Sequence, residues 1–431
     1  MKPMVAVAIA LFAGLMMTRL FKKMKLRFPD VTAFLLAGLL VGPFGIGRFN
    51  LPGGIGFSDF AEVEDLNIIK LAALGFIAFS IGKEFNLKSL KNTGKAATVI
   101  GILQAVITTI CVDIFLVGLH FLLGEEVLSI AVVVTLGAIA AATAPAATMM
   151  VVRQYKADGP LTRLLLPIVA LDDAVGLVIF AVSLGIAQAL EGGAVSMVSI
   201  LVEPLLEIVA SVILGAVMGL LLSRVEKQFY SNTNRLSITI SFVLFTIALS
   251  SLSFDLGGVT VEFSSLLVCM VAGTVFCNIG ENADEIFERC DKWTAPLYAV
   301  FFVVSGAELD LGVFLRPTAL FIGIVYVLVR ALGKYMGAGL SSTAMHCDEN
   351  VRKYLGITLF PQAGVALGMV ISAQVLGTGS GALIRNVILF SVLVYELVGP
   401  SMTRWALDKA GEIGEIPENK KSHDRFKKQA Q

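Results

Sequence analysis

Two adjacent acids, Asp172 and Asp173, stand in the run Leu171-Asp172-Asp173-Ala174, near the middle of a largely apolar stretch from 161 to 190. If that stretch crosses a membrane, each charge costs at least about 2.5–3.5 kcal/mol on insertion scales, which structure alone rarely requires. Carboxylate oxygens are hard ligands, suited to a small cation such as Na⁺ by the logic that holds for Ca²⁺ and Mg²⁺. A proton and a metal ion each neutralise a carboxylate, so they can compete for one group. Adjacent residues on a helix point about 100° apart, so the two acids do not face each other as a shared-proton dyad. One can meet a cation while its neighbour meets a different partner.

Basic partners are available in Val329-Arg330-Ala331-Leu332-Gly333-Lys334. Arg330 and Lys334 are four apart and share a helix face. Either could form a buried ion pair with Asp172 that breaks on protonation. Depth favours Arg330, which like Asp172 lies 11 residues from the inner end of its expected helix. Lys334 lies about one turn nearer the cytoplasm. Asp113 is a further candidate for a polar group in the core. Glu308, Glu396 and Glu84 read as structural or interfacial. His120, His346 and His423 fall near helix ends or in the tail, which gives no support to a histidine proton relay.

Two stretches are interrupted where a plain helix should run on. One holds Ala142-Thr143-Ala144-Pro145-Ala146-Ala147-Thr148, the other Phe360-Pro361-Gln362-Ala363-Gly364. Proline removes a backbone donor and breaks the helical ladder. Irregular backbone at membrane depth survives only where it is buried in protein or lines a cavity. A single proline kink is common in membrane helices, so one interruption alone does not mark a site; the pairing of two is more informative.

The elements that must position these residues follow from composition. Of 431 residues, 56% are hydrophobic and 15% are charged, with a mean hydropathy of +0.85. An average soluble domain is about 25% charged. Such a chain lacks the polar skin of a soluble globule, the basic excess of a nucleic-acid binder and the charge of a disordered chain. An all-α polytopic membrane protein remains. Spans of about 20 apolar residues are expected at 3–20, 29–47, 66–82, 95–123, 127–151, 161–190, 196–223, 236–255, 262–280, 293–311, 318–341, 353–377 and 382–407. No stretch suggests a soluble domain, the first span reads as retained rather than cleaved, and the five cysteines form no CxxC pair and no expected disulfide.

Charge placement orients the thirteen spans. With the N-terminus outside, 26 of the 33 Lys and Arg residues fall in inner segments, 4 in outer ones and 3 within spans, the bias of the positive-inside rule. If span 7 is a linker, the fifth span of each half carries the interruption, and the halves have opposite orientation. That is the inverted-repeat pattern of secondary transporters, in which paired broken helices mark the binding site.

In this order the motifs resemble the monovalent cation/proton antiporters, on the branch of bacterial sodium/proton antiporters with an Asp-Asp motif. The likeness runs along nearly the whole chain. It rests on Ala37-Gly38-Leu39-Leu40-Val41-Gly42-Pro43, Phe79-Ser80-Ile81-Gly82-Lys83-Glu84, Thr143-Ala144-Pro145, Phe301-Phe302-Val303-Val304-Ser305-Gly306, Phe360-Pro361-Gln362-Ala363-Gly364 and Glu396-Leu397-Val398-Gly399-Pro400. The resemblance implies crossed discontinuous helices, a homodimer and elevator-like alternating access. It implies core helices at 95–190 and 318–407, dimerisation-side helices at 1–94 and 236–317, a linker at 191–235 and a short cytoplasmic tail at 408–431. Under it, Asp173 matches the ion-binding aspartate, Asp172 the acid that marks electrogenic members, and Lys334 the partner lysine. Arg330 resembles the arginine that other branches use instead, so both basic residues stay open. Many relatives carry Asp or Ser where this chain has Ala144. The half-helix dipoles must then be met by Thr143, Thr148, Gln362 or another group.

The expected function is an electrogenic Na⁺(Li⁺)/H⁺ antiporter of the plasma (cell inner) membrane, not an enzyme. Its substrates are protons and a monovalent cation, bound at Asp173 with the assistance of Thr143 and backbone carbonyls at the break, and possible also at Asp172. No cofactor and no nucleic-acid partner are expected. K⁺/H⁺ exchange is the alternative. The tail after Leu407, 24 residues long, argues against members with a cytosolic nucleotide-binding domain. An intramembrane aspartyl protease would need carboxylates converging from separate segments, and an ionisable midplane pair disfavours a channel.

Overall fold

The computed structural model describes residues 3–24, 28–49, 56–191, 197–256, 259–261, 263–309, 311–312, 316–363 and 365–413. Gly53, Gly364, His423 and the basic tail beyond 413 lie outside the described residues, as do the side chains of Glu84 and Asp173.

The chain is a bundle of helices. The first group is α1 (Pro3–Lys23), α2 (Asp30–Val41), α3 (Phe60–Glu64), α4 (Asn67–Ile81), α5 (Leu87–Leu123), α6 (Ile130–Ala140), α7 (Pro145–Gln154) and α8 (Pro160–Leu190). The second is α9 (Met197–Glu226), α10 (Asn232–Ser250), α11 (Ser265–Ile279), α12 (Ala283–Ala307), α13 (Pro317–Ala344), α14 (Glu349–Thr358), α15 (Val365–Ser372) and α16 (Gly377–Lys409). The sequence did not lead us to expect the small antiparallel hairpin of β1 (Phe254–Leu256) and β2 (Val259–Val261) between α10 and α11.

Among the described residues, nine helical segments are long and apolar enough to cross a membrane: Met4–Lys23, Asp30–Phe49, Gly94–Leu123, Ile130–Gln154, Pro160–Leu190, Leu206–Glu226, Asn232–Ser250, Pro317–Ala344 and Gly379–Lys409. Shorter apolar helices at Asn67–Ile81, Ser265–Ile279 and Val365–Leu376 fall on three more expected spans. The remaining expected span falls on α12, whose first half carries Asp284, Glu285, Glu288, Arg289, Asp291 and Lys292. With those charges α12 is not among the segments apolar enough to cross.

Two apolar clusters organise the packing. One gathers residues of α5, α6, α8, α13, α15 and α16, including Val112, Leu136, Phe180, Tyr326, Met369 and Ile388. The other runs through α2, α4, α11 and α12, with Phe34, Phe76, Phe79, Phe276, Phe287 and Val303, and takes in buried residues of α7, α8 and α14 such as Val151, Leu165 and Leu355. Exposed apolar side chains such as Phe12, Ile114, Phe121, Ile213 and Leu328 face outward on long helices. In a bilayer, lipid replaces the water they would otherwise meet.

Both expected interruptions are present. Helix α6 stops at Ala140 and α7 starts at Pro145; α14 stops at Thr358 and α15 starts at Val365. Proline sits at the first position of α7, where its missing N–H costs nothing. The two breaks lie against each other, and Ala144 N donates to Pro361 O at 2.8 Å.

Candidate functional site

Where the breaks meet, four elements bring polar groups to one point. Helix α8 supplies Asp172, α13 supplies Arg330 and Lys334, α5 supplies Gln104, and the first break supplies Thr143. All five side chains are buried, and Asp172, Lys334, Arg330 and Gln104 have no exposed surface. Small residues let α13 approach α5 closely, as in other membrane helix pairs. A side chain at Gly337 would bring its Cβ to 2.9 Å from the carbonyl oxygen of Gln104.

Asp172 is held by three donors. Lys334 Nζ lies 2.9 Å from Oδ2 as an ion pair. Thr143 Oγ1 donates to the same oxygen at 2.5 Å, and Gln104 Nε2 donates to Oδ1. Lys334 also donates to Gln104 Oε1 at 2.9 Å and to Ala141 O at 2.5 Å. Gln104 thus bridges the two charged residues with both ends of its amide. A buried ion pair is tolerable only when the remaining donors and acceptors are met in this way.

Arg330 does a different task. Its guanidinium donates to Ala140 O at 3.0 Å, Ala142 O at 2.6 Å and Phe360 O at 2.8 Å. It also lies over the Tyr395 ring, 4.5 Å from the centroid. Gln362 Nε2 donates to Ile139 O at 3.1 Å, and Gln362 Oε1 accepts from Ser391 Oγ at 2.7 Å. The carbonyls from 139 to 142, which close half-helix α6, therefore all have side-chain donors. A helix end carries about half a negative charge on such carbonyls. Two fixed cations meet it here. At the end of α14, Phe360 O takes Arg330, while Thr148 and Thr143 reach Thr358 O and Leu359 O only at 3.5 Å. So the groups that compensate for an uncharged Ala144 are chiefly Arg330, Lys334 and Gln362.

Of the residues singled out in the sequence, the structure gathers Asp172, Thr143, Lys334, Arg330, Pro145, Pro361 and Gln362 around the double break. Asp173 follows Asp172 in α8, with its side chain outside the described residues. Depth favoured Arg330 as the partner of Asp172, yet the ion pair is made by Lys334. Counting residues from helix ends treats α8 and α13 as parallel rods, and it ignores the carbonyls that compete for the guanidinium. Asp113 stands apart from this cluster, over Gly137, and its Oδ1 has no hydrogen-bond partner among the described residues. Glu308 pairs with Lys70 of α4. His120 Nδ1 lies 2.7 Å from Leu128 O at a helix end.

Gln104 was not anticipated. An uncharged amide in an apolar helix gives little warning, and only its facing residues on α13 reveal its purpose. Tyr326 was also missed; its hydroxyl accepts from Gln362 Nε2 at 3.2 Å.

The sequence profile of a family described as sodium/hydrogen exchanger, transmembrane, matches residues 7–409. A high-affinity Na⁺/H⁺ antiporter, NhaS3 of Synechocystis, is 23% identical over 92% of this chain and 88% of its own length. A K⁺/H⁺ antiporter subunit, KhtU of Bacillus subtilis, is 23% identical over 88% of each chain. The solved structure of the sodium proton antiporter MjNhaP1 from Methanocaldococcus jannaschii at pH 8 superposes with a TM-score of 0.68. It is 19% identical, over 96% of this chain and all of that one. The helical bundle with its paired breaks is therefore the fold of that antiporter.

Proposed function

Because the chain belongs to the sodium/hydrogen exchanger family, we propose that it is an electrogenic Na⁺(Li⁺)/H⁺ antiporter whose cation and protons compete for Asp172 and Asp173. Members of this family are secondary transporters, so the chain is a polytopic membrane antiporter rather than an enzyme. The cation and the proton are substrates, not cofactors. The observation that carries the finer reading is the fully buried Asp172–Lys334 pair at the junction of the two breaks.

In the ion-paired state Asp172 is an anion and Lys334 a cation, and the pair is neutral. A proton arriving on Asp172 ends the attraction. Lys334 then keeps Gln104 Oε1 and Ala141 O as acceptors. Release of protons to one side frees the carboxylates for the cation. Asp173 binds it, with the Thr143 hydroxyl and break carbonyls completing an oxygen shell. If two protons exchange for one Na⁺, each cycle moves a net charge, and the membrane potential contributes about 2.3 kcal/mol per charge per 100 mV.

The joint packing of α5, α6 and α8 with α13, α15 and α16 supports a moving core at 95–190 and 318–407. The remaining helices, at 1–94 and 236–317, would form a fixed scaffold through which two copies pair, with 191–235 as linker. Core movement against scaffold gives elevator-type access from each side in turn. Thirteen spans put the N-terminus outside and the C-terminus in the cytoplasm.

K⁺/H⁺ exchange is the second reading, favoured by the likeness to KhtU. An ammonium/H⁺ antiporter subunit, AmhT of Alkalihalophilus pseudofirmus, is also 24% identical over 75% of this chain. The test is a cation panel in proteoliposomes under an imposed potential. Na⁺ and Li⁺ should drive proton flux that quickens when the potential favours net charge movement. Equal or greater flux with K⁺ or ammonium would replace the sodium reading, and indifference to the potential would remove electrogenicity.

A further inference from the structure

The N-terminus of α8, the helix that carries both acids, is closed by a residue 250 positions later in the chain. The first amides of a helix have no acceptor within it. In α8, Pro160 has no N–H to satisfy, and Arg163 N donates to Gly159 O at 3.0 Å. Leu161 and Thr162 remain. The cap position is Gly159, which has no side chain to offer them. Glu412 supplies both: Leu161 N donates to Oε1 at 2.7 Å, and Thr162 N to Oε2 at 2.8 Å. Thr162 Oγ1 donates to Oε2 as well, at 2.6 Å. Glu412 is only 7% exposed, and a carboxylate there also meets the positive end of the helix dipole.

The surroundings are shaped for this contact. A Cβ on Gly159 would lie 2.3 Å from the carboxyl carbon of Glu412. Helix α16 ends in a left-handed turn at Gly411 (φ +75°). There Gly411 N donates to Asp408 O at 3.1 Å and Glu412 N to Leu407 O at 3.0 Å, the paired bonds of a glycine C-cap. That turn presents Glu412 to α8. Asp158 N donates to Glu412 O at 3.1 Å, and Asn350 Nδ2 of α14 to Ala410 O at 3.2 Å. Helices α8, α14 and α16 are thus tied at one corner. Pro167 removes an internal hydrogen bond from α8 between this corner and Asp172, so the first two turns depend more heavily on the cap.

We propose that Glu412 is a positioning residue for ion exchange: it caps α8 from outside the helix and holds the Asp172–Asp173 segment in register with the two breaks. The proposal rests on the antiport reading above. Its test compares Glu412→Ala, Glu412→Gln and Gly159→Ala with wild type; the last displaces the carboxylate without removing it. Amide exchange at Leu161 and Thr162 should rise about tenfold or more in both alanine variants, while α5 and α13 stay protected. In proteoliposomes, the Na⁺ concentration for half-maximal proton flux should shift by about threefold or more, measured per folded protein. Glu412→Gln, which keeps one acceptor oxygen, should fall between. Wild-type protection of those amides in Gly159→Ala or in Glu412→Ala overturns the cap. A lower maximal rate with unchanged half-saturation marks a merely structural contact and overturns the positioning role. If Glu412→Ala does not fold, the other two variants decide. A wild-type protein with no Na⁺-driven flux would defeat the antiport reading, while the amide measurement would still judge the cap.

Discussion

Lys334→Ala should cost about 3–5 kcal/mol of stability, the usual penalty for breaking a buried ion pair from one side. Lys334 has no exposed surface and serves three acceptors: Asp172 Oδ2, Gln104 Oε1 and Ala141 O. Its loss leaves a buried carboxylate with hydrogen bonds from Thr143 and Gln104 but without this countercharge. Exchange should then fall steeply, and what survives should respond little to membrane potential. Thermal unfolding of the detergent-purified protein and flux in proteoliposomes check the two halves of this expectation. The double variant Lys334→Ala with Asp172→Asn separates them. Removing both charges should restore much of the stability without restoring exchange. A single variant that loses less than about 1 kcal/mol would place the pair in the class of weak surface contacts and contradict the structure.

Arg330→Lys should be nearly as severe, although it keeps the charge. Arg330 holds three carbonyls from two different half-helices through three separate nitrogens, and it stacks on Tyr395. An ammonium is a compact point charge without that planar fork. It could serve one half-helix end, leaving carbonyls of the other unmet. Each buried group so orphaned costs about 1–3 kcal/mol, so two of them cost about 2–6 kcal/mol. The breaks should loosen, with a lower unfolding temperature and exchange reduced by about tenfold or more. Wild-type stability in this variant would mean that charge alone, rather than the three donors of the planar guanidinium, holds the two ends together.

Much of this site could be read in the sequence, for a physical reason. Asp172 and the prolines at 145 and 361 violate what a lipid-embedded helix tolerates, and violations of that kind are visible without a structure. The paired breaks were legible for the same reason, and the structure sets them against each other. Other features depend on which faces meet, and hydropathy is blind to that. Gln104 looks like an ordinary polar interruption until α13 is laid beside α5. Depth favoured Arg330 and the motif Lys334; Lys334 makes the pair, because one turn along a helix is less than the reach of a lysine side chain. Lys70 and Glu308, 238 positions apart, and the cap from Glu412 are tertiary contacts with no local signature.

The central claim is that this pair of acids carries both substrates, and Asp173→Asn tests it most directly. That substitution leaves Asp172, Lys334 and the bonds between them in place, so the double break should stay assembled. Na⁺-driven proton flux should be measured in proteoliposomes containing equal amounts of folded wild-type and variant protein. The account predicts flux from the wild type and none above background from Asp173→Asn. Sodium-dependent proton flux at the wild-type rate in the variant would contradict it.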